Sequence, residues 1–169
     1  DQGRCKPEFV AAMFEDLKWF GFVWQEGPDL GGPFAPYNQS ERIERYRSVF
    51  DQLRETGWVY PCTCSRRDVL RALDAPHAGE EEPIYPGTCR EKEPEKTRDR
   101  RLSWRFRVPR DAYVKFDDGA CGPQEFINGR DFGDFVVWRH DGLPSYQLAC
   151  VADDAAMGIS EVVRGADLL

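Results

Sequence analysis

The 169 residues make about one domain's worth of chain, 41% apolar, 13% aromatic and 31% charged, which excludes wholesale disorder, collagen and coiled coil. No apolar run approaches the roughly 18–20 residues needed to span a bilayer, and no signal-peptide pattern opens the chain, so a cytoplasmic protein without a membrane partner is expected. The formal net charge of −7 gives no global attraction to nucleic acid, so any RNA contact must come from a local basic patch.

In chain order, Pro7 suits a first helical turn, and Phe9, Val10, Met13, Phe14 and Leu17 fall on one face, with Gly21 as terminator. A Gly/Pro-rich loop runs to Pro36. A second helix is predicted from Asn38 or Ser40, Asn38 and Glu41 having the spacing of a capping box. Its buried stripe is Ile43, Tyr46, Phe50 and Leu53, its outer face Arg42, Arg45, Arg47 and Arg54, and Gly57 ends it. Val59-Tyr60 reads as a short strand entering Cys62-Thr63-Cys64, and Ser65 with Asp68 opens a short third helix. Residues 74–96 lose periodicity apart from the phrase Tyr85-Pro86-Gly87-Thr88-Cys89. Leu102, Trp104, Phe106 and Val108 then alternate with Ser103, Arg105 and Arg107 as a half-buried strand. Tyr113–Phe116 and Phe135–Arg139 continue the β texture. The end reads as a strand at Tyr146–Val151, a short helix at Asp153–Met157 and a strand at Glu161–Arg164. The pattern is α/β at both ends with a β-containing stretch between. The chain opens at Asp1 without an initiating methionine and stops at Leu169 as if entering another element, so it is expected to be the middle of something larger.

Six cysteines in a chain with an ordinary core argue for reduced thiols, some of them metal ligands, over a disulfide framework. Cys62 and Cys64, one residue apart at the end of a strand, can face one ion on a knuckle-like turn, and Cys89 can join them from a loop. Tetrahedral zinc needs one more donor. Tyr85, His77, Cys121 or water are the candidates, and on chemistry alone His77 leads, because a phenol with a pKa near ~10 must lose its proton to bind well.

Two stretches have a familiar form. Leu17-Lys18-Trp19-Phe20-Gly21-Phe22-Val23-Trp24-Gln25-Glu26-Gly27-Pro28, followed by Pro36-Tyr37-Asn38-Gln39-Ser40-Glu41-Arg42, resembles the glutamyl-tRNA synthetases. So do Gly133–Arg139, Asp141–Ala149 and Asp153–Leu169. Within that family, Cys62-Thr63-Cys64 with Tyr85-Pro86-Gly87-Thr88-Cys89 is similar to the CxC…YxGxC zinc site of the glutamyl-queuosine tRNA(Asp) synthetase branch. The resemblance implies Tyr85 as fourth ligand with Cys62, Cys64 and Cys89, the ion's charge making a phenolate accessible.

The same resemblance implies a Rossmann-type class I synthetase catalytic core, interrupted by a β-containing, zinc-bearing connective insertion. Residues 1–61 would belong to the first Rossmann half, 62–132 to the insertion and 133–169 to the start of the second half. Glutamate and ATP, with Mg2+, would give glutamyl-adenylate, and the glutamyl group would pass to queuosine in the anticodon of tRNA(Asp). Tyr146 would line the glutamate pocket, and Arg164 would contact the bound amino acid, a guanidinium fork suiting a carboxylate. Leu168 would lie near the adenine. No catalytic residue is assigned. Arg98, Arg100, Arg101, Arg105 and Arg107 form a local basic run that fits a phosphate backbone. Asp153 and Asp154 read as structural, His140 as a surface residue, and the protein as a monomer.

Neither the HIGH-type nor the KMSKS-type motif of class I synthetases occurs in the 169 residues, so the chain by itself is not expected to activate glutamate. Two other readings stand beside this one. One is a segment of an ordinary glutamyl-tRNA synthetase charging tRNA(Glu), a class that needs tRNA to activate glutamate where the queuosine branch does not. The other is a non-catalytic zinc- and tRNA-binding module.

Overall fold

A computed structural model describes residues 6–72, 84–92 and 102–165. Its elements are α1 (Pro7–Trp19), a short 3-10 turn (Gln39–Glu41), α2 (Ile43–Glu55), β1 (Val59–Cys62), α3 (Arg66–Ala72), β2 (Ser103–Phe106), β3 (Tyr113–Asp118), β4 (Gly122–Ile127), β5 (Val136–Trp138) and α4 (Tyr146–Met157). They fall into two compact units, Asp1–Arg45 with Asp153–Leu169, and Tyr46–Ala152.

The larger unit is built on an antiparallel sheet of order β1-β2-β5. The β1–β2 register pairs Tyr60 with Arg105 and Pro61 with Trp104. Side chains alternate between faces along a strand, so Tyr60, Cys62 and Arg105 share one face while Pro61 and Trp104 share the other. Beneath the second face lies α2, whose Phe50 meets the Trp138 ring at 4.9 Å and the Trp104 ring edge-on at 5.5 Å. Arg47 lies over Trp138 at 4.2 Å. Trp58, Phe106 and Phe135 stack in a row with centroid separations of 5.7 and 5.6 Å. The pair β3–β4 forms a separate two-stranded hairpin.

In the smaller unit, α1 buries none of its residues. Phe14 and Leu17 are half-buried, and Phe14 rests on Trp24 at 5.9 Å. The expected continuous helix from Asn38 or Ser40 is broken. Asn38 makes no side-chain cap, a 3-10 turn covers Gln39–Glu41, and α2 starts at Ile43. Arg42, placed by the pattern on the outer face, is instead buried at 4% exposure. Its Nε lies 3.1 Å from Asp153 Oδ1, and its Nη1 donates to the Pro36 carbonyl at 3.2 Å. That pairing gives Asp153 a partner in the fold, in line with its reading as a structural residue.

Two further expectations are corrected. Tyr146–Val151 is not a strand but the first half of α4, where the Ser145 hydroxyl accepts from the Leu148 N–H at 3.2 Å and fixes a helical start. Residues 161–164 form no strand. By contrast, α3 begins as its sequence indicates: the Asp68 carboxylate accepts from the Ser65 N–H at 2.8 Å, and the Ser65 hydroxyl accepts from the Asp68 N–H at 3.2 Å.

Candidate metal centre

At the end of β1, Cys62 is buried at 1% exposure and packs with Tyr60, Val69 and Tyr85, while Cys64 and Cys89 lie against this cluster. Thr63 separates the two thiols, and because side chains alternate along extended backbone both sulfurs fall on the same side. The second arm is the turn after Ile84. Gly87 adopts φ +78°, the Arg90 N–H donates to the Gly87 carbonyl at 2.9 Å, and Cys89 is thereby folded back over Tyr85. Gly133 allows this arm to lie close, since a Cβ there would sit 2.9 Å from Ile84 Cγ2.

The sulfurs of Cys62, Cys64 and Cys89 all lie within 4.8 Å of one another, and among the described residues this is the one group of metal-ligating side chains of that kind. The Cys64 and Cys89 sulfurs are 3.6 Å apart, and the Tyr85 hydroxyl lies 3.4 Å from Cys62 Sγ and 3.5 Å from Cys64 Sγ. The Tyr85 oxygen also accepts the Cys89 N–H at 2.9 Å. Tetrahedral zinc with Zn–S bonds near ~2.3 Å and Zn–O near ~2.0 Å needs S···S edges of about 3.8 Å and S···O edges of about 3.5 Å. Three of the six edges, Cys64–Cys89 and those from the Tyr85 oxygen to Cys62 and Cys64, therefore stand close to the corner separations such an ion requires. His77 and the chain around it lie outside the described residues, and Cys121 sits exposed at the β3–β4 turn.

Electrostatics divides the donors. Burial pushes the Cys64 thiol up to about 11, the hydrogen bond from Tyr85 only partly opposing it. Burial also works against ionising Cys89, but the hydrogen bond from Tyr85 and those from Thr63 and Cys64 outweigh it and pull that thiol down to about 7. Burial and the surrounding thiols hold the Tyr85 phenol far above its ordinary value. Of Cys64, Tyr85 and Cys89, Cys89 therefore ionises most readily, and a phenolate at Tyr85 needs a cation.

A buried polar network braces the cluster from behind. The Asp134 carboxylate, 6% exposed, accepts from the Tyr60 hydroxyl at 2.6 Å, from Arg90 Nη1 at 2.5 Å and from the Val108 N–H at 2.9 Å. Arg90 Nη2 donates to the Val108 carbonyl at 2.8 Å. The residue that follows Cys89 is thereby tied to the sheet. Asp134 and Arg90 were not singled out from the sequence. Their only signal is adjacency, Arg90 to a candidate ligand and Asp134 to Gly133.

The arginine run divides as well. Arg105 points into the cluster: its Nε donates to Cys62 Sγ at 3.4 Å, its Nη1 donates to the Asp134 carbonyl at 2.9 Å, and its guanidinium lies 3.8 Å from the Tyr85 ring centroid. It does not face solvent as the strand alternation suggested, because Cys62, the Tyr85 ring and the Asp134 carbonyl lie against its guanidinium on that face of β2. Arg107 is half-buried, over the Tyr60 ring at 4.9 Å and 3.7 Å from Glu91. Arg98, Arg100 and Arg101 lie outside the described residues, as does Leu168. Tyr146 opens α4 with 57% exposure. Arg164 is exposed in the segment that follows α4, and the two fall in different compact units.

A family model described as class I tRNA synthetases (E and Q), catalytic domain, matches residues 1–169, the whole chain. The chain belongs to this family. It is 46% identical over 174 residues to a glutamyl-Q tRNA(Asp) synthetase of Nitratidesulfovibrio vulgaris and 47% identical over 175 residues to one of Symbiobacterium thermophilum. All of this chain is aligned in both cases, against 53% and 54% of those relatives, so it spans about half their length. A glutamate–tRNA ligase of Halorhodospira halophila is 41% identical over 174 residues, with 36% of its length covered. Among solved structures, a glutamate tRNA ligase of Elizabethkingia meningosepticum in complex with its amino acid superposes with a TM-score of 0.79 at 27% identity, over 99% of this chain and 36% of that one. The architecture is therefore the α/β class I synthetase fold, as the resemblance implied. No described helix is long and apolar enough to cross a membrane.

Proposed function

We propose that the protein containing this chain is a glutamyl-queuosine tRNA(Asp) synthetase, a ligase that activates glutamate with ATP and Mg2+ and transfers it to queuosine in the anticodon of tRNA(Asp). The observation that carries this reading is the 46–47% identity, along the whole chain, to two glutamyl-Q tRNA(Asp) synthetases. The assembled Cys62, Cys64, Tyr85 and Cys89 cluster supports it, because those donors fall on the CxC…YxGxC pattern of that branch.

In this reading zinc is held by the three thiolates and the Tyr85 oxygen, and its contribution is to lock the two arms together. Tyr146 and Arg164 bind glutamate, Arg164 through a bidentate contact to a carboxylate, and Leu168 lies against the adenine. Residues 1–61 and 133–169 contribute to the Rossmann core and 62–132 form the insertion. Arg98, Arg100, Arg101 and Arg107 are the tRNA-contacting cations, Arg105 being engaged at the cluster. The protein works as a cytoplasmic monomer.

The deciding experiment is glutamate-dependent ATP–pyrophosphate exchange on the full-length protein, with and without tRNA. Exchange without tRNA is the expected result. Exchange only when tRNA is added would transfer the assignment to a glutamate–tRNA ligase such as the 41%-identical relative. No exchange under either condition would leave a zinc- and tRNA-binding module.

A further inference from the structure

We infer that Arg105 is a positioning residue of the metal centre, a planar clamp that holds Cys62 and Tyr85 in their ligating positions and offsets the negative charge of the filled site. This rests on the reading of Cys62, Cys64, Tyr85 and Cys89 as zinc ligands.

Three contacts at different parts of the guanidinium fix its plane. The Nε proton goes to Cys62 Sγ at 3.4 Å, the Nη1 proton to the Asp134 backbone carbonyl at 2.9 Å, and the flat face covers the Tyr85 ring at 3.8 Å from its centroid. One side chain thus touches a ligand from each arm, Cys62 from β1 and Tyr85 from the loop after it. The carbonyl anchor belongs to Asp134, whose carboxylate already ties Tyr60 and Arg90 together. The guanidinium is therefore anchored at the residue that links β1, through Tyr60, to the loop, through Arg90.

The charge argument is independent of the packing. Three thiolates outweigh a divalent cation by one negative charge, and a phenolate would add a second. A buried site of that charge needs a fixed cation or strong donors nearby. Arg105 supplies both, with an N–H directed at a thiolate sulfur and a positive face on the aromatic ring. Lysine in its place would keep the charge but could not donate along that plane and stack at the same time.

The test uses full-length protein, with zinc affinity measured by competition against a chromophoric chelator and ligand geometry read from the d–d and thiolate-to-metal absorption of the Co2+-substituted protein. Residues that orient metal ligands typically cost roughly 10–100-fold in affinity when removed, and Arg105→Met is expected to weaken zinc binding by that factor and to alter the Co2+ bands. Arg105→Lys is expected to recover only part of the loss. Arg110→Gln removes a charge from a side chain 80% exposed and is expected to leave affinity within about twofold, as a screened surface charge should. Wild-type affinity with unchanged Co2+ bands in Arg105→Met overturns the inference, and so does an equal loss in Arg110→Gln, which would make the effect one of bulk charge. Should Arg105→Met not fold, a folded Arg105→Lys with wild-type affinity and spectrum overturns it. Wild-type protein that holds no zinc removes the reading on which the inference stands, a failure distinct from the others because it precedes any substitution.

Discussion

β2 and β3 carry nearly the same texture, Ser103-Trp104-Arg105-Phe106 in one and Tyr113-Val114-Lys115-Phe116 in the other, yet they live in different surroundings. β2 is the central strand of three, and every one of its residues is at least partly covered. β3 has one partner, and its residues 113–117 are all exposed. Consequently Arg105 is engaged at three points, whereas Lys115 reaches across the hairpin to Glu125 at 3.5 Å in a pair that is largely solvated. Aromatic and basic residues alternating along a strand therefore do not report what lies on each face. The number of neighbouring elements decides whether a cation is a surface charge or part of a buried site.

The sharpest way to break this comparison is to remove one charge from each region. Asp134→Ala leaves Arg90 without its carboxylate and Tyr60 without its acceptor inside the larger unit, and stripping one partner from a buried pair costs about 3–5 kcal/mol. Lys115→Ala removes an exposed pair worth under ~0.5 kcal/mol. Urea unfolding of the full-length protein, followed by tryptophan fluorescence, should show a large drop in midpoint for the first and little for the second. Equal shifts would mean that the two strands are not distinguished as described.

Aromatic truncation gives the next effect. Trp104 packs edge-on against Phe50 over α2, and Trp104→Ala should destabilise by about 3 kcal/mol, the low end for an aromatic partly withdrawn from water. Phe116 stacks on Phe126 at 6.0 Å on a face that remains 42% open. Phe116→Ala should cost only about 0.5–1 kcal/mol, the range of a cross-strand pair. A comparable change is expected at Ser65, next to Cys64. Its cap of α3 is worth about 1 kcal/mol, so Ser65→Ala should lower the midpoint modestly, and amide exchange at Asp68 should speed up.

These contrasts also explain what could be read from residues alone. The Ser65–Asp68 box was legible because a capping interaction spans one helical turn and needs nothing from elsewhere. Tyr46 and Phe50 were legible for a similar reason, a stripe at helical spacing on an otherwise polar helix. The cysteine pair pointed to a candidate metal cluster through its short spacing, and the structure brings Cys89 to it, but Tyr85 came from family resemblance. Chemistry alone favoured His77, which lies outside the described residues, and did not foresee a phenol oxygen held between two sulfurs. Arg42, Arg105 and Asp134 were misread or passed over for one common reason. Their partners, Asp153, Cys62 and Arg90, are remote in sequence, and no local pattern encodes such pairings. The strand expected at Tyr146–Val151 failed because β-compatible residues there follow Ser145, and the cap outweighs a weak strand preference.

The smallest expected effect lies at the tip of the hairpin. The Asp118 Oδ1 accepts from the Cys121 N–H at 2.7 Å and from the Ala120 N–H at 2.9 Å, which closes the β3–β4 turn. Those two backbone donors, Cys121 first, hold the carboxyl below its ordinary value of 3.8. A depressed folded-state value means that the folded turn releases this proton more readily than the unfolded chain. The carboxylate therefore contributes stability that is complete above about pH 4 and is lost as the pH falls through the folded value. Because its hydrogen bonds are to the turn itself, the loss should be confined to the hairpin and leave the β1-β2-β5 sheet intact. A carboxyl-detected NMR titration should place the Asp118 transition below 3.8. In the same series the amides of Ala120 and Cys121 should move with that transition while those of β2 stay still. An Asp118 transition at or above the ordinary value would mean that the turn is not closed by this side chain. Movement of the β2 amides in step with it would mean that hairpin and sheet respond as one body, against the contrast between them.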